Sequence, residues 1–466
     1  MNRSIRLNLP FYKAVRHFTV LFLLLSVNPA FTAPQGIFKN EDLQFYIELQ
    51  SETYKRYQYT SISCFVGSAG FLPSVGTVQN STLDNYYLIG SSEDSLYLKR
   101  PQDDTLVWLE PVEKLPYACK GMPVDTAVSN FYIFWQTISE VYNFSHLERH
   151  KWTELFAKYL PTFIDFDLRL FDSRETENLT LFDTFSNMLK EIGDPHIFLL
   201  APDIQKSVYA DEERFKFPEH YVNSKQKRKF AFKQASAFGR KPQWFANQNL
   251  IISSNTNLLY INPITFSSYQ SDGSFSENEG STMGYITHAI RQKLTPKTHV
   301  VVDLRLNDGG SIDYSNAISS CFSEVSETVT YIKSELKGQS IFTPLSSNSR
   351  GGVKPASITI LTSRYTASAA EYLVLNLKEL GATIIGESTR GAFSPVVLKT
   401  LPNGWYLGVP PFLTYDKNSL PLPEKVGFSP DIKVSWSLNF QDSLINSYQL
   451  SEWREAASLT PIVSEK

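Results

Sequence analysis

A chain of 466 residues exceeds what one compact core holds, so two or three domains are expected. Hydrophobic residues make up 42% and charged residues 20%, a globular balance that excludes a disordered or low-complexity polypeptide. The net charge of −3 gives no electrostatic reason to bind nucleic acid or an anionic membrane.

Residues 1–33 differ from everything after them. A basic start precedes "TVLFLLLSV" (19–27), an apolar run too short to span a bilayer, and "NPAFTA" then supplies small residues. The segment reads as an export signal cleaved within about residues 30–36, giving a periplasmic or secreted protein; an uncleaved membrane anchor is the alternative. Export permits a disulfide, and Cys64–Cys119 is the expected pair, with Cys321 left as a core thiol. Asn80, Asn143 and Asn178 lie in glycosylation sequons.

Residues 36–122 read as a β-rich domain of unknown role, with strands expected in "LQFYIEL", "RYQYTSISCFVG", "NYYLIG", "SLYLKR" and "TLVWLEP". Residues 125–200 change period. Apolar residues at spacings of three and four predict three amphipathic helices, and the last gives way to an extended "DPHIFLL". Residues 201–255 form a basic connecting region whose "SKQKRKFAFKQ" reads as a solvated loop or hairpin. Residues 256–440 alternate strands and helices, which implies crossover connections and a largely parallel layer, before a tail at 441–466. Chemistry in such layers sits where strands end and helices begin.

Two of those junctions can carry it. In "RYTASAAEYLVLNLKELG", Ser368 stands in the first turn of a helix, where unpaired N–H groups favour either a helix cap or an anionic intermediate. In "DLRLNDGG", Asn307, Asp308, Gly309 and Gly310 allow a sharp turn, with or without a ligand. The bases on offer are few. His146 and His150 lack a third metal ligand, and His220, His288 and His299 have no supporting neighbours. His196 stands where a helix gives way to an extended segment, a place from which a side chain can enter a cleft.

Taken together, "LYINPITF", "VVVDLRLNDGG", "ITILTSRYTASAAEYLVLNLKELGATIIGESTRG", "LPNGWYLGVP" and "EKVGFSPDIKV" resemble the tail-specific protease domain of the C-terminal processing peptidases and the tricorn core protease. The likeness covers about residues 127–200 and 256–436. It implies an α/β catalytic domain of the crotonase-like kind and a peptide or protein substrate, with no metal and no organic cofactor. It also implies that Ser368 of "TASAAE" is the nucleophile, with an oxyanion hole of backbone N–H groups from Gly309 or Gly310 and Ala369.

Two departures from the family pattern matter. Leu306 and Asp308 replace glycines of "DLRGNGGG", which places a carboxylate near the hole. Ala392 stands where the Ser/Lys dyad has its lysine, so the base is expected to follow the tricorn-like arrangement, with His196 as general base and Glu424 of "EKVGFSPD" as its orienting acid. The expected function is an exported serine endopeptidase; a catalytically inactive binding protein on the same fold is the alternative.

Overall fold

A computed structural model describes residues 35–71, 87–92, 95–99, 106–143, 148–211, 224–267, 278–336, 339–349 and 351–435. The export segment, Asn80, His146, His220 and the tail at 441–466 lie outside the described residues.

The N-terminal region is a seven-stranded antiparallel sheet built from β1 (Gly36–Asn40), β2 (Phe45–Leu49), β3 (Thr53–Tyr59), β4 (Cys64–Phe71), β5 (Tyr87–Ser92), β6 (Ser95–Lys99) and β7 (Leu106–Val112). Their order is β4-β3-β2-β1-β7-β6-β5. The single apolar run at 56–67 divides into two strands because Thr60 and Ser63 close a turn with backbone and hydroxyl bonds. Cys64 at the start of β4 is bonded to Cys119 in a 3₁₀ turn, tying the end of this region back to its edge strand.

This sheet is fixed to the rest of the molecule. Lys399 buries its ammonium against the carbonyls of Leu43 (2.6 Å) and Gln44 (2.9 Å), and Gln58 exchanges hydrogen bonds with the Thr400 backbone. Buried ammonium groups need such acceptors, so the contact is specific rather than a flexible tether.

Three helices follow, α1 (Ala127–Val141), α2 (Arg149–Leu168) and α3 (Arg174–Lys190). Thr126 and Ser173 cap α1 and α3 through their hydroxyls, each satisfying an orphan N–H. Their apolar faces meet in an aromatic core where Phe131 stacks on Phe163 at 4.5 Å and Phe185 packs on Phe134. Asn178 is buried on α3 and donates to Asp203 at 2.6 Å, while Asn143 donates to the Phe412 carbonyl at 2.7 Å. Both sequon amides are thus engaged inside the fold.

After α3 come β8 (Phe198–Ala201) and β9 (Lys206–Tyr209). The basic stretch is then a helix, α4 (Ser224–Phe238), rather than a solvated loop. Its Ala231, Ala235 and Phe238 bury against the main sheet, and Lys227, one turn before them on the same face, is buried as well. That sheet starts earlier than residue 256. It comprises β10 (Arg240–Phe245), β11 (Leu250–Ser254), β12 (Leu258–Pro263), β13 (His299–Asp303), β16 (Ser357–Thr362), β17 (Thr383–Gly386) and β21 (Ile432–Lys433). From β12 onward the neighbours are parallel, and β10 and β11 form an antiparallel extension.

Helix α5 (Asn278–Arg291) joins β12 to β13, α6 (Ile312–Ser320) follows β13, and α7 (Ala369–Glu379) follows β16. Two small sheets complete the domain. One orders β15 (Gln339–Asn348), β14 (Glu327–Leu336) and β20 (Leu413–Asp416). The other orders β18 (Val397–Thr400), β19 (Tyr406–Val409), β8 and β9. Cys321 is a buried free thiol at the end of α6, pushed up to about 12 by burial.

Candidate active site

β13 and β16 are adjacent and parallel, with Asp303 paired to Leu361, so the loops leaving their carboxyl ends lie side by side. One carries "NDGG" and the other carries Ser368. Several bonds lock them together. Thr366 donates its hydroxyl to the Leu304 carbonyl (2.9 Å), Ser363 to the Arg305 carbonyl (2.6 Å), and the Ala367 N–H to the Asn307 carbonyl (3.1 Å). Beneath them Asp303 takes a paired contact from Arg305 and a hydroxyl from Tyr260, filling the acceptor sites of a buried carboxylate.

Ser368 has φ +53° and ψ −124°, a conformation that costs a non-glycine residue of order 1–3 kcal/mol. A serine recruited only to cap a helix has no need of it, because caps adopt ordinary extended angles. The strained turn leaves the side chain partly exposed at the start of α7, while Ala367 and Ala369 on either side are buried.

Gly309 (φ +104°) and Gly310 (φ +129°) approach this turn. A Cβ at Gly309 would lie 2.6 Å from the Ser368 Cβ, and one at Gly310 would lie 2.3 Å from the Phe266 carbonyl carbon. Only glycine fits either place. The Gly309 N–H is already donated to Asn307 Oδ1 at 2.8 Å, so it is not open to a substrate oxygen. Among the described residues the N–H groups of Gly310 and Ala369 donate to no other group, which leaves these two as the available pair. The Asp308 carboxylate pairs with Lys227 of α4 at 3.3 Å, so the charge introduced by the altered motif has a partner.

His196 arrives from the other side, two residues before β8. Asp194 fixes its backbone by accepting the His196 N–H at 2.7 Å, and the Tyr142 hydroxyl holds the second Asp194 oxygen at 2.7 Å. Burial drives the imidazole down to about 3. The Arg390 guanidinium pushes it in the same direction, and a hydrogen bond with the Ser394 backbone offsets part of the shift. Part of the residue reaches the surface, but Nδ1 is sealed and has no partner among the described residues.

Glu424 lies in the same neighbourhood. It accepts the N–H groups of Phe393 (3.1 Å) and Ser394 (2.8 Å). Burial raises its carboxyl to about 8, the Asp194 and Glu371 charges add to that, and the two amides oppose it. Among the described residues no hydrogen bond or ion pair joins Glu424 to His196, or His196 to Ser368. The nucleophile and the oxyanion loop therefore meet, whereas the base and its acid share neighbours without a hydrogen bond between them.

Glu371 is a site residue that sequence reasoning did not single out. Wholly buried, it accepts from Thr389 Oγ1 (2.6 Å), Gly391 N (2.7 Å), Ala392 N (2.9 Å) and Ser368 N (3.1 Å). It ties the nucleophile to the 389–392 loop. Burial raises it to about 7 against the pull of these donors. The signal was present: a glutamate three residues after a helix-starting serine is the capping-box spacing. Arg390 also went unremarked. Its guanidinium lies 5.2 Å over the Tyr209 ring and feels the charges of Glu371 and Asp308.

Residues 264–434 match the family model described as Peptidase family S41. No curated protein matches the chain. Among solved structures the chain is similar to a protein described as a peptidase from Parabacteroides merdae ATCC 43184, at 20% identity over 67% of this chain and 90% of that one, with a TM-score of 0.49. It is similar to the photosystem II D1 C-terminal processing protease at 15% identity, over 67% and 94% of the two chains, with a TM-score of 0.37. For the tricorn protease the values are 12% identity, 89% and 47%, and a TM-score of 0.39.

Proposed function

With residues 264–434 belonging to peptidase family S41, and the chain accordingly a serine-type peptidase, we propose that it is an exported endopeptidase with Ser368 as nucleophile, His196 as general base and Glu424 as supporting acid. Ser368 Oγ attacks the scissile carbonyl carbon as its proton passes to His196. The oxyanion is held by the N–H groups of Gly310 and Ala369. Collapse expels the amine, which takes the proton from His196, and water activated by His196 then hydrolyses the acyl-enzyme.

The observation that carries this reading is the conformation of Ser368, held at positive φ against a glycine turn with two uncommitted N–H groups beside it. Export by residues 1–33 belongs to the same proposal and is supported by the Cys64–Cys119 bond, since such bonds persist in oxidising compartments. No helix among the described residues is long and apolar enough to cross a membrane.

One observation favours a second reading, a catalytically inactive binding protein: Ser368, His196 and Glu424 make no direct hydrogen bonds to one another. Catalytic bonds in ligand-free sites are often long and tighten only around substrate, so the peptidase reading stands first. Mass-spectrometric analysis of a diverse peptide mixture incubated with the mature protein and with Ser368→Ala separates the two. Cleavage by the parent alone supports the peptidase; cleavage by neither folded protein supports the binding protein.

A further inference from the structure

The strap that leads into β18, residues 391–396, is gripped by two buried acids. Glu371 accepts the N–H groups of Gly391 (2.7 Å) and Ala392 (2.9 Å) together with that of Ser368 (3.1 Å), and Glu424 accepts those of Phe393 and Ser394. The far end of the same stretch is held by another part of the chain. Lys399 and Thr400, the last two residues of β18, bond to the N-terminal sheet at Leu43, Gln44 and Gln58.

The receiving side is shaped for an ammonium. In the turn between β1 and β2, Asn40 Oδ1 accepts the Leu43 N–H at 2.7 Å, and Gln44 takes φ +50°, a region uncommon for a residue with a side chain. The Gln44 carbonyl also accepts the Tyr59 N–H at 3.1 Å, which ties the turn to β3. The carbonyls of Leu43 and Gln44 thus converge on a buried lysine, and β18 cannot leave them without stranding a charge. Across the ladder Lys399 pairs with Leu407 of β19, and Leu407 with Leu199 of β8, three residues beyond His196. A Cβ at Gly408, next along β19, would lie 2.5 Å from the Phe198 ring, so these strands fit closely. The N-terminal sheet docks a second time, on a helix: Glu140 of α1 accepts Gln44 Nε2 at 2.8 Å and the Ser61 N–H at 3.0 Å.

Resting on the reading of Ser368 and His196 as nucleophile and base, we propose that the N-terminal sheet is a positioning part of the active site, with Lys399 as the positioning residue. Its bonds to Leu43 and Gln44 fix β18. That strand sets the strap clamped to Ser368 through Glu371 and, by way of β19, the strand entered from His196. Residues 36–122 then belong to the catalytic unit instead of forming a separate recognition module.

The test uses the full mature chain and the fastest-cleaved peptide of the mixture described above, at a temperature where near-ultraviolet circular dichroism shows every variant folded. Lys399→Met keeps the length of the side chain and removes the ammonium. Its kcat should fall about ten- to a hundredfold with KM unchanged, the scale of a displacement of about 1 Å among reacting groups. Glu140→Ala frees the same sheet from α1, so it should lower the melting temperature and leave kcat at the parent's value. If Lys399→Met does not fold, Gln58→Ala replaces it, removing the bonds to Thr400 at the same end of β18, with the same direction of change. An unchanged kcat in the folded β18-side variant overturns the positioning role and leaves the peptidase reading in place. So does an equal fall of kcat in Glu140→Ala, which would reduce the sheet to general support. Full turnover in Ser368→Ala overturns the reading of the site and the positioning role together.

Discussion

The nucleophile side and the base side of this site are built to different standards. Ser368 and the glycine turn leave the ends of adjacent parallel strands and are cross-tied by hydroxyl and backbone bonds. His196 stands at the entry to a small four-stranded sheet with its Nδ1 unpartnered among the described residues, and Glu424 stands on the loop between β20 and β21 with its carboxyl raised to about 8. Rigid placement is thus concentrated where charge develops on the substrate, and adjustable groups sit where a proton is handed over. A fixed oxyanion site needs no reorganisation during reaction, whereas a proton acceptor must be stable in two charge states.

Removing the nucleophile is the strongest way to break this comparison. Ser368→Ala should lower kcat/KM by at least about 10⁴-fold, leaving what the oxyanion site and substrate binding supply. Its melting temperature, followed by circular dichroism, should stay near that of the parent, because a methyl fits where the hydroxymethyl did. The next largest effect tests the rigid side directly. Gly310→Ala places a carbon within 2.3 Å of the Phe266 backbone at φ +129°, so the turn must shift. Combined strain and overpacking amount to about 2–5 kcal/mol. The displaced N–H should cost about 10²-fold in kcat. Urea unfolding and steady-state kinetics read the two effects separately.

Glu371→Gln reaches both sides at once. One amide oxygen cannot replace a carboxylate that accepts from Ser368, Thr389, Gly391 and Ala392, and the new amide protons would face N–H groups. At least one buried donor is left unsatisfied, at a cost of about 2 kcal/mol. The loss should appear as a lower urea midpoint with an unchanged slope. A midpoint equal to the parent's would show that the loop holds without this clamp and that the two sides are not tied through it.

What the sequence disclosed follows the same division. The nucleophile side was legible because its residues are contiguous: "TASAAE" and "NDGG" each carry a turn, a helix start and their own donors in a few positions. The assignment of hole donors was not legible, since only coordinates show the Asn307 side chain taking the Gly309 N–H. On the base side, the surroundings of His196 have no local signal. They arise from β8 and β18, about 200 residues apart in the chain, each pairing with β19. The basic stretch at 224–238 misled for a related reason. Its apolar positions are few and separated by lysines, so charge masked the helical stripe that buries Ala231, Ala235 and Phe238.

The finest distinction between the two sides is the pH dependence of stability. Glu371 and Glu424, raised to about 7 and about 8 from an ordinary 4.5, contribute stability that is complete below 4.5 and is lost as pH rises through their folded values. His196, lowered to about 3 from 6.5, works the other way: below 6.5 the unfolded chain takes up a proton that the folded one refuses. Between 4.5 and 6.5 two carboxyls therefore pull stability down with rising pH while one imidazole pulls it up, and the carboxyls win. The melting temperature contributed by these groups should peak near pH 4.5 and decline toward 8. Glu424→Gln removes one of the two carboxyls, so Glu371 on the nucleophile side and His196 on the base side should cancel. Calorimetry of that variant should show a plateau between pH 4.5 and 6.5. A slope as steep as the parent's would mean that Glu424 titrates as an ordinary carboxylate and is not held protonated beside Asp194.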